Sequence, residues 1–245
     1  MKKTNLFLSG IALFAGLMFS SCKKEEKKDD NNNTGGGDLS GNVEGTLEKG
    51  NYTIKSDIIV PAGKTLTLKP GVVLAFEGVE GGVQPEIRVE GNLVAEGTST
   101  DPILFTVPTE KRIDENAYAG LWGGIQATNT CVALILRHCV VEYTGAAAGD
   151  AMPDVYDAGD PRYAIHFGNP NGVFVFERCT LRNIADDGIR PDGGGKVAII
   201  NSVFYNIGET GGEGLNFKDG SVGDVCYNLF YAVATNGSKP AGKGD

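Results

Sequence analysis

The sequence has few of the residues that metal centres and nucleic-acid sites need. Its 245 residues include only two histidines and five cysteines, and no two cysteines have the Cys-x-x-Cys spacing of zinc sites. The 22 Lys and Arg are outnumbered by 31 Asp and Glu, which gives a net charge of −9. Such a balance argues against a phosphate backbone as a partner, so we expect no nucleic-acid binding.

The sequence also lacks an apolar run long enough to cross a bilayer comfortably. The apolar run Leu6–Phe19 follows Met1-Lys2-Lys3, a pattern that predicts a signal peptide over residues 1–21. Phe19-Ser20-Ser21-Cys22 overlaps its end and resembles a bacterial lipobox. We therefore expect lipidation at Cys22, whose acyl chains would anchor the protein to a membrane without a transmembrane helix. Ordinary cleavage with a free cysteine is the alternative.

Residues 22–44 are predicted to be a disordered tether, because no apolar residue occurs from Lys23 to Gly37. The charged run KKEEKKDD directly after Cys22 resembles the surface-export signal of Bacteroidetes-type lipoproteins. This resemblance implies a lipid-anchored protein of the outer membrane that is exposed on the cell surface. A solvating spacer is the alternative interpretation.

Helical periodicity is missing from the folded part, which we expect to span residues 45–236 before a polar tail at 237–245. Apolar and polar residues alternate in short segments from Gly45 to Phe76, and turns such as Pro70-Gly71 separate the segments. The phrases IVPAGKTLTLKPGVVLAF, GNLVAEGT, DPILFT and LWGGI look like the first coils of Bacteroidetes β-helix lipoproteins. The resemblance implies an all-β fold, a right-handed single-stranded parallel β-helix. It leaves function open, because most such proteins have no assigned activity.

Two aligned sets of residues predict the coils of this β-solenoid. One set has apolar residues three positions before and two positions after each member: Cys139, Cys179, Ser202 and Asn228. The second set is Ile125, Ile165, Ile189 and Leu215. The steps are 40, 23 and 26 residues in the first set and 40, 24 and 26 in the second. The shared long step predicts an insertion near Gly145–Asp160, and the period is typical of a solenoid.

The polar members of these coils are interpreted first as structure. The set Cys139, Cys179, Ser202 and Asn228 predicts an internal ladder of small polar residues, with a Cys139–Cys179 disulfide as the alternative. Asn183 and Asn206 follow at the same offset and are expected to hydrogen-bond turn backbone.

Four residues are candidates for catalysis on one side of the solenoid: Asp187, Arg190, Glu213 and Lys218. Carboxylates beside cationic groups can cleave sugars, and the pattern resembles that of pectin-degrading β-helix enzymes. Asp186 and Asp187 are adjacent, however, so in an extended chain they point to opposite faces. A turn rich in Asp and Gly is the alternative explanation.

The insertion carries two further candidate sets. Its acidic residues could bind calcium through oxygen ligands: Asp150, Asp154, Asp157 and Asp160. Tyr156 and Tyr163 would suit stacking against a sugar, and a long loop on a rigid scaffold is where function tends to lie. A solvent-exposed loop that binds no ligand is the alternative.

These observations favour a non-catalytic protein, anchored by lipid at the cell surface, that binds a glycan or a surface protein. The first alternative is a polysaccharide lyase or glycoside hydrolase that uses the four candidate residues. The second alternative is a structural or adhesion component of the surface. No cofactor is expected apart from calcium, and the expected partners are the membrane, through the lipid, and a glycan or surface protein.

Overall fold

A computed structural model describes residues 35–153, 155–218 and 220–240 of the chain. The predicted signal peptide and the predicted lipidation site, Cys22, lie outside these residues, as does Asp154. The described chain is built from 21 β-strands and two short 3-10 helices, Thr109–Lys111 and Asp114–Asn116. No helix in the described residues is long and apolar enough to cross a membrane.

The chain winds as a right-handed single-stranded parallel β-helix, so the predicted fold is confirmed. Every ladder between named strands is parallel, and each strand pairs with the strand one coil before and one coil after it. The strands form three faces, because a coil of about 23 residues returns the chain to the same face. Long connections occur only where insertions interrupt a coil.

Face 3 is a separate seven-stranded sheet. Its strands are β2 (Gly45–Leu47), β4 (Thr65–Leu68), β7 (Asn92–Glu96), β10 (Ala133–Arg137), β13 (Val173–Glu177), β16 (Lys196–Ile200) and β19 (Val222–Cys226). Faces 1 and 2 share the long strand β3 (Gly50–Val60), which pairs with face 1 through its first half and with face 2 through its second half. Because β3 turns this corner without a break, the two faces belong to one 14-stranded sheet.

The remaining strands of the large sheet follow β3 on either side. Face 1 continues with β5 (Val72–Phe76), β8 (Ile103–Thr106), β11 (Cys139–Glu142), β14 (Thr180–Ile184), β17 (Val203–Ile207) and β20 (Leu229–Val233). Face 2 continues with β6 (Ile87–Val89), β9 (Ile125–Ala127), β12 (Ile165–Phe167), β15 (Ile189–Pro191), β18 (Leu215–Asn216) and β21 (Ser238–Lys239).

The strands extend beyond the predicted domain limits at both ends. Strand β1 (Gly36–Asn42) pairs with β3, although the sequence places these residues in the tether. At the other end, β21 pairs with β18, although the sequence places it in the polar tail. Both segments are polar, so apolar residues could not identify them as strands. They are held by backbone hydrogen bonds to the exposed edge of the neighbouring coil.

The aligned sets of the sequence lie in register from coil to coil. Leu136, Phe176, Ile199 and Val225 are direct partners on successive strands of face 3. Ile125, Ile165, Ile189 and Leu215 are partners on face 2 and are fully buried. Inside the coils, Phe176 and Phe204 pack with ring centroids 5.6 Å apart. Each such buried side chain contributes about 2–3 kcal/mol through the hydrophobic effect.

The corners of the coils use left-handed backbone in two stacked columns. One column, between faces 3 and 1, is His138, Arg178, Asn201 and Tyr227; the other, at the end of face 1, is Tyr143, Asn183, Asn206 and Ala232. Asn tolerates this conformation better than most residues. Asn206 also donates from Nδ2 to Asn183 Oδ1 at 3.1 Å, so the two asparagines stack at successive corners, and this hydrogen bond joins their side chains instead of a side chain and turn backbone.

The predicted ladder of small polar residues hydrogen-bonds coil to coil. The backbone N–H of Cys139 donates to Cys179 Sγ at 3.3 Å, that of Cys179 to Ser202 Oγ at 3.1 Å, and that of Ser202 to Asn228 Oδ1 at 2.8 Å. Cys139 and Cys179 are free thiols, and not the disulfide of the alternative. The ladder is therefore structural, since it gives buried corner N–H groups their acceptors.

All three long insertions leave the solenoid at the corner between faces 1 and 2. They occupy residues 77–86, 107–124 and 143–164, between the strands of successive coils. The third contains the predicted insertion. Loops on a rigid scaffold are the usual place for binding sites, so this corner is where a site is to be sought.

Candidate functional site

The outward-facing residues of face 2 form one continuous line, here called the outer line of face 2. Each except Lys239, which follows Ser238, comes directly after an inward apolar residue, and their strands pair one after another: Arg88, Gln126, His166, Arg190, Asn216 and Lys239. Gln126 and His166 are fully buried although they face outward. The insertion loops cover them.

A buried ion pair anchors the third insertion to the first. Arg162 Nη1 donates to Glu86 Oε2 at 3.0 Å, and both side chains are only 2% exposed. Arg162 also donates to the backbone carbonyls of Gln84 and Ala146. A Cβ on Gly123 would lie 2.3 Å from the guanidinium carbon of Arg162, so a glycine is needed there for the pair to form.

Tyr156 completes this anchor. Its hydroxyl donates to both carboxylate oxygens of Glu86, at 2.9 and 2.8 Å. Burial, and then the charge of Glu86, raise the pKa of Tyr156. The hydroxyl is therefore a structural donor at neutral pH, and what Tyr156 can offer a ligand is its ring.

A cavity of about 320 Å³ lies between the insertion and face 2. It is lined by Met152, Pro153, Val155, Tyr156, Asp157, Asp160, Tyr163 and Arg190. The fold thus brings both predicted sugar-stacking tyrosines together with two of the predicted calcium ligands and one predicted catalytic residue. The sequence analysis assigned these residues to three separate sites.

Arg190 is positioned within this cavity by its neighbours. Its Nε donates to Asp192 Oδ2 at 3.2 Å, and its Nη1 donates to the Tyr163 hydroxyl. The guanidinium carbon lies 4.8 Å from the centre of the Tyr163 ring. Burial raises the pKa of Tyr163, so the phenol stays neutral. The pair presents a flat polar surface instead of a free cation.

Asp187 and Glu213 meet at the corner beside this cavity. The backbone N–H of Glu213 donates to Asp187 Oδ1 at 2.7 Å, and Asn216 Nδ2 donates to Asp187 Oδ2 at 2.9 Å and to Glu213 Oε2 at 3.3 Å. Burial, and then the neighbouring Asp187 carboxyl, raise the pKa of Glu213. Asp187 thus ties one coil to the next, which is the structural role that the sequence left open.

The four predicted catalytic residues do not form one cluster. Glu213 is paired with Lys239, whose Nζ lies 3.6 Å from Oε1, and not with Lys218. Lys218 donates its backbone N–H to Pro191 at the far end of the strand. The sequence missed Lys239 because it was assigned to the tail.

The predicted calcium set is not assembled in the part of the chain that the structure describes. Within residues 35–153, 155–218 and 220–240, no group of three or more His, Cys, Asp or Glu side chains could hold a metal ion. Asp157 and Asp160 line the cavity, whereas Asp150 is not among its lining residues and Asp154 lies outside the described residues.

Four side-chain atoms of the described chain are buried without a hydrogen-bond partner, and all belong to the outer line of face 2. They are Arg88 Nε, Gln126 Oε1, His166 Nε2 and Asn216 Oδ1. The sequence contained a signal for them. Each belongs to a polar residue that comes directly after an inward apolar residue of face 2. These apolar residues are Ile87, Ile125, Ile165 and Leu215.

The comparisons with known proteins agree with this geometry. Residues 37–133 match the family model of the pectate-lyase-like β-helix domain, and the parallel sheets continue from there to Lys239. The chain is a parallel β-helix repeat protein.

The relative found is much longer than this β-helix repeat protein. A stretch of 80 residues, 32% of the chain, is 36% identical to the Drosophila melanogaster protein called "Protein bark beetle". The match spans 2% of the length of that protein. No solved structure matches the chain at a significant level.

Proposed function

We propose that this β-helix protein binds a glycan without cleaving it, in the cavity between the insertion and face 2. The observation that carries the proposal is the lining of that cavity. Tyr156 and Tyr163 supply rings, while Asp157, Asp160 and Arg190 supply polar groups around them. A few polar groups among apolar and aromatic ones are typical of a small-molecule site.

The rigid surroundings support binding at this place. The cavity wall is held by the buried Glu86–Arg162 pair on one side and by parallel strands on the other. A preformed wall loses little conformational entropy when a ligand binds. A ligand would therefore meet a surface that is already ordered.

Titration calorimetry of the full chain against a panel of oligosaccharides tests the proposal. We expect saturable binding that weakens about tenfold or more in Tyr163→Ala, since the ring and the partner of Arg190 are both lost. Tyr231→Ala is the matched control, because Tyr231 is an exposed tyrosine on face 1. Absence of saturable binding to every oligosaccharide would contradict the proposal.

Cleavage of the glycan is a second function with one observation in its favour. The raised pKa of Glu213 would suit a general acid. However, the Asp187 and Glu213 carboxyls both accept from one nitrogen, Asn216 Nδ2, at 2.9 and 3.3 Å. The two carboxyls of a glycosidase lie on either side of the bond that is cleaved, whereas this pair is engaged in joining one coil to the next. Release of reducing ends or of unsaturated, ultraviolet-absorbing products that is lost in Glu213→Gln would favour an enzyme over a binding protein.

The proposed location is the outer membrane, with lipid on Cys22 and the β-helix displayed at the cell surface. The leader and the cysteine that follows it support this proposal. Incorporation of labelled fatty acid that is lost in Cys22→Ser tests the anchor, and protease sensitivity in intact cells tests the display. A labelled Cys22→Ser variant would contradict lipidation at this residue.

A further inference from the structure

The unpartnered atoms of face 2 are too concentrated to be chance packing faults. Each buried polar group without a partner costs about 1–3 kcal/mol. Among the described residues, all four such atoms lie on one line of one face. Buried polar atoms that the fold leaves open in one place are candidates for contacts with a ligand.

The contacts of these side chains define what each free atom can do. Gln126 Nε2 donates to the carbonyls of Gly123 and Tyr163, so its free Oε1 is an acceptor. His166 Nδ1 lies 3.0 Å from the carbonyl of Ala127. A carbonyl can only accept, so Nδ1 carries the proton and the free Nε2 is an acceptor.

The other two free atoms complete the pattern. Asn216 Nδ2 faces two carboxylates, so its free Oδ1 is a third acceptor. Among the buried atoms of the line that lack a partner, Arg88 Nε is the single donor. Three acceptors and one donor call for a ligand that mainly donates hydrogen bonds, and sugar hydroxyls do so while also being able to accept.

The charges around the line argue against an acidic sugar. Asp157 and Asp160 line the cavity, and Asp187 and Glu213 both accept from Asn216 of the line. The three cations of the line are already engaged: Arg190 with Asp192, Arg88 with Glu86 at 3.6 Å, and Lys239 with Glu213 at 3.6 Å. A carboxylate on the ligand would face four acidic side chains without a free counter-charge.

We infer that the outer line of face 2 is the floor of the glycan site and selects a neutral, hydroxyl-rich glycan over an acidic one. The inference rests on the proposed function and names its ligand class. Tyr163 separates the cavity from the floor, since it lines the cavity and its ring stacks on His166 with centroids 5.9 Å apart. A sugar reaches His166 Nε2 and, beside it, Gln126 Oε1 when the Tyr163 ring turns from His166 onto the sugar, so the ring remains the stacking partner of the ligand.

The test compares neutral oligosaccharides with oligogalacturonates of equal length, titrated into the full chain. We expect the neutral ligand to bind at least about tenfold more tightly. The ¹⁵N signal of His166 Nε2 should shift on binding, because this atom gains a hydrogen-bond donor, while that of His138 stays in place. In Gln126→Leu, which removes the acceptor, affinity should fall about tenfold; a thermal melt verifies folding.

The outcomes separate the two claims. Tighter binding of the oligogalacturonate overturns the inference and leaves glycan binding intact. Binding of the neutral glycan without a shift at His166 Nε2 also overturns it, because the site then lies elsewhere. Binding of neither class overturns the proposed function itself.

Discussion

Faces 1 and 2 of the β-helix both carry a line of outward polar residues, and the two lines are built differently. On face 1, Thr106 Oγ1 donates to Glu142 Oε1 at 2.5 Å, and Arg182 Nε donates to Glu142 Oε2 at 2.6 Å. Arg182 continues to the Tyr205 hydroxyl at 2.7 Å, and Tyr205 stacks on Tyr231. The chain of contacts runs from coil to coil.

On face 2, the same stacking leaves atoms open. Neighbouring coils place outward residues close enough to bond, as they do on face 1, yet four atoms of the line have no partner in the described chain. Face 1 shows that hydrogen bonds between stacked coils can pair the polar side chains of a line. On face 2 they leave four buried atoms without a partner, and the insertions cover the line. These unpartnered atoms therefore indicate a role other than folding.

The largest expected effect concerns the Arg162–Glu86 ion pair, which holds the third insertion over face 2. Arg162→Met leaves Glu86 charged and buried, so we expect the free energy of unfolding to fall by about 3–5 kcal/mol. Arg182→Met on face 1 should cost only about 1–2 kcal/mol, because Arg182 is 38% exposed and its removal opens the buried Glu142 carboxylate to water, while Thr106 still donates to that carboxylate. Urea unfolding measures both. Equal losses would contradict the distinction, and Glu86→Gln added to Arg162→Met should restore part of the stability.

The second effect is a pH dependence that only face 2 should show. Burial lowers the pKa of His166 to about 4; the hydrogen bond to the Ala127 carbonyl and the charge of Asp192 act against this shift, and the charge of Arg190 adds to it. An unfolded histidine has a pKa of about 6.5, so the unfolded state binds the proton first as the pH falls. The destabilising effect of His166 is absent above pH 6.5. As the pH falls to about 4, this effect lowers the free energy of unfolding by roughly 3 kcal/mol.

Unfolding curves of the wild type and of His166→Gln, measured across that pH range, isolate this contribution. The difference between them should change with pH in the stated direction. His138→Gln is the control, as His138 carries the other imidazole and is only half-buried. A pH-independent difference would show that His166 is not held neutral by burial.

The third effect tests the corner that joins the two faces. Asn206 has left-handed backbone, with φ of 53°, and donates to Asn183. Asn206→Ala should lower the free energy of unfolding by about 1 kcal/mol, because Ala is strained there and the hydrogen bond is lost. Asn206→Gly, which removes the bond without the strain, should lose less. Thermal or urea unfolding distinguishes the two; a greater loss for Gly would refute the strain.

The smallest effect is expected on face 1 at Tyr231. It is 52% exposed and stacks on Tyr205 with ring centroids 5.0 Å apart. Tyr231→Ala should lower stability by about 0.5–1 kcal/mol and leave glycan affinity unchanged. Calorimetry with the neutral oligosaccharide would show otherwise if face 1 were part of the site.

The register of the coils could be derived from the sequence, because it depends on local alternation and on period. Phe176 over Ile199 and Ile165 over Ile189 were predicted from their spacing and are direct partners. The ends of the solenoid were not, since β1 and β21 contain too few apolar residues to be told from a tether or a tail.

The candidate site was only partly predictable for a different reason. Tyr156, Tyr163 and Arg190 were chosen by residue type, and the fold places all three at one cavity. Arg162 and Glu86 were not chosen, because they are 76 residues apart in sequence and each is unremarkable alone. Lys218 was chosen from its position in the sequence. In the structure, Glu213 at the corner pairs with Lys239 instead.

The sequence by itself determined the β-helix, its coil period and the buried columns, because parallel stacking requires the same pattern on every coil. Only the tertiary structure decided where the insertions fold and which polar atoms of the outer line of face 2 they cover. That depends on contacts such as Arg162 with Glu86, between residues far apart in the chain. Contacts that close a long loop require no repeating pattern in the sequence around either residue. They therefore cannot be derived from local alternation or period.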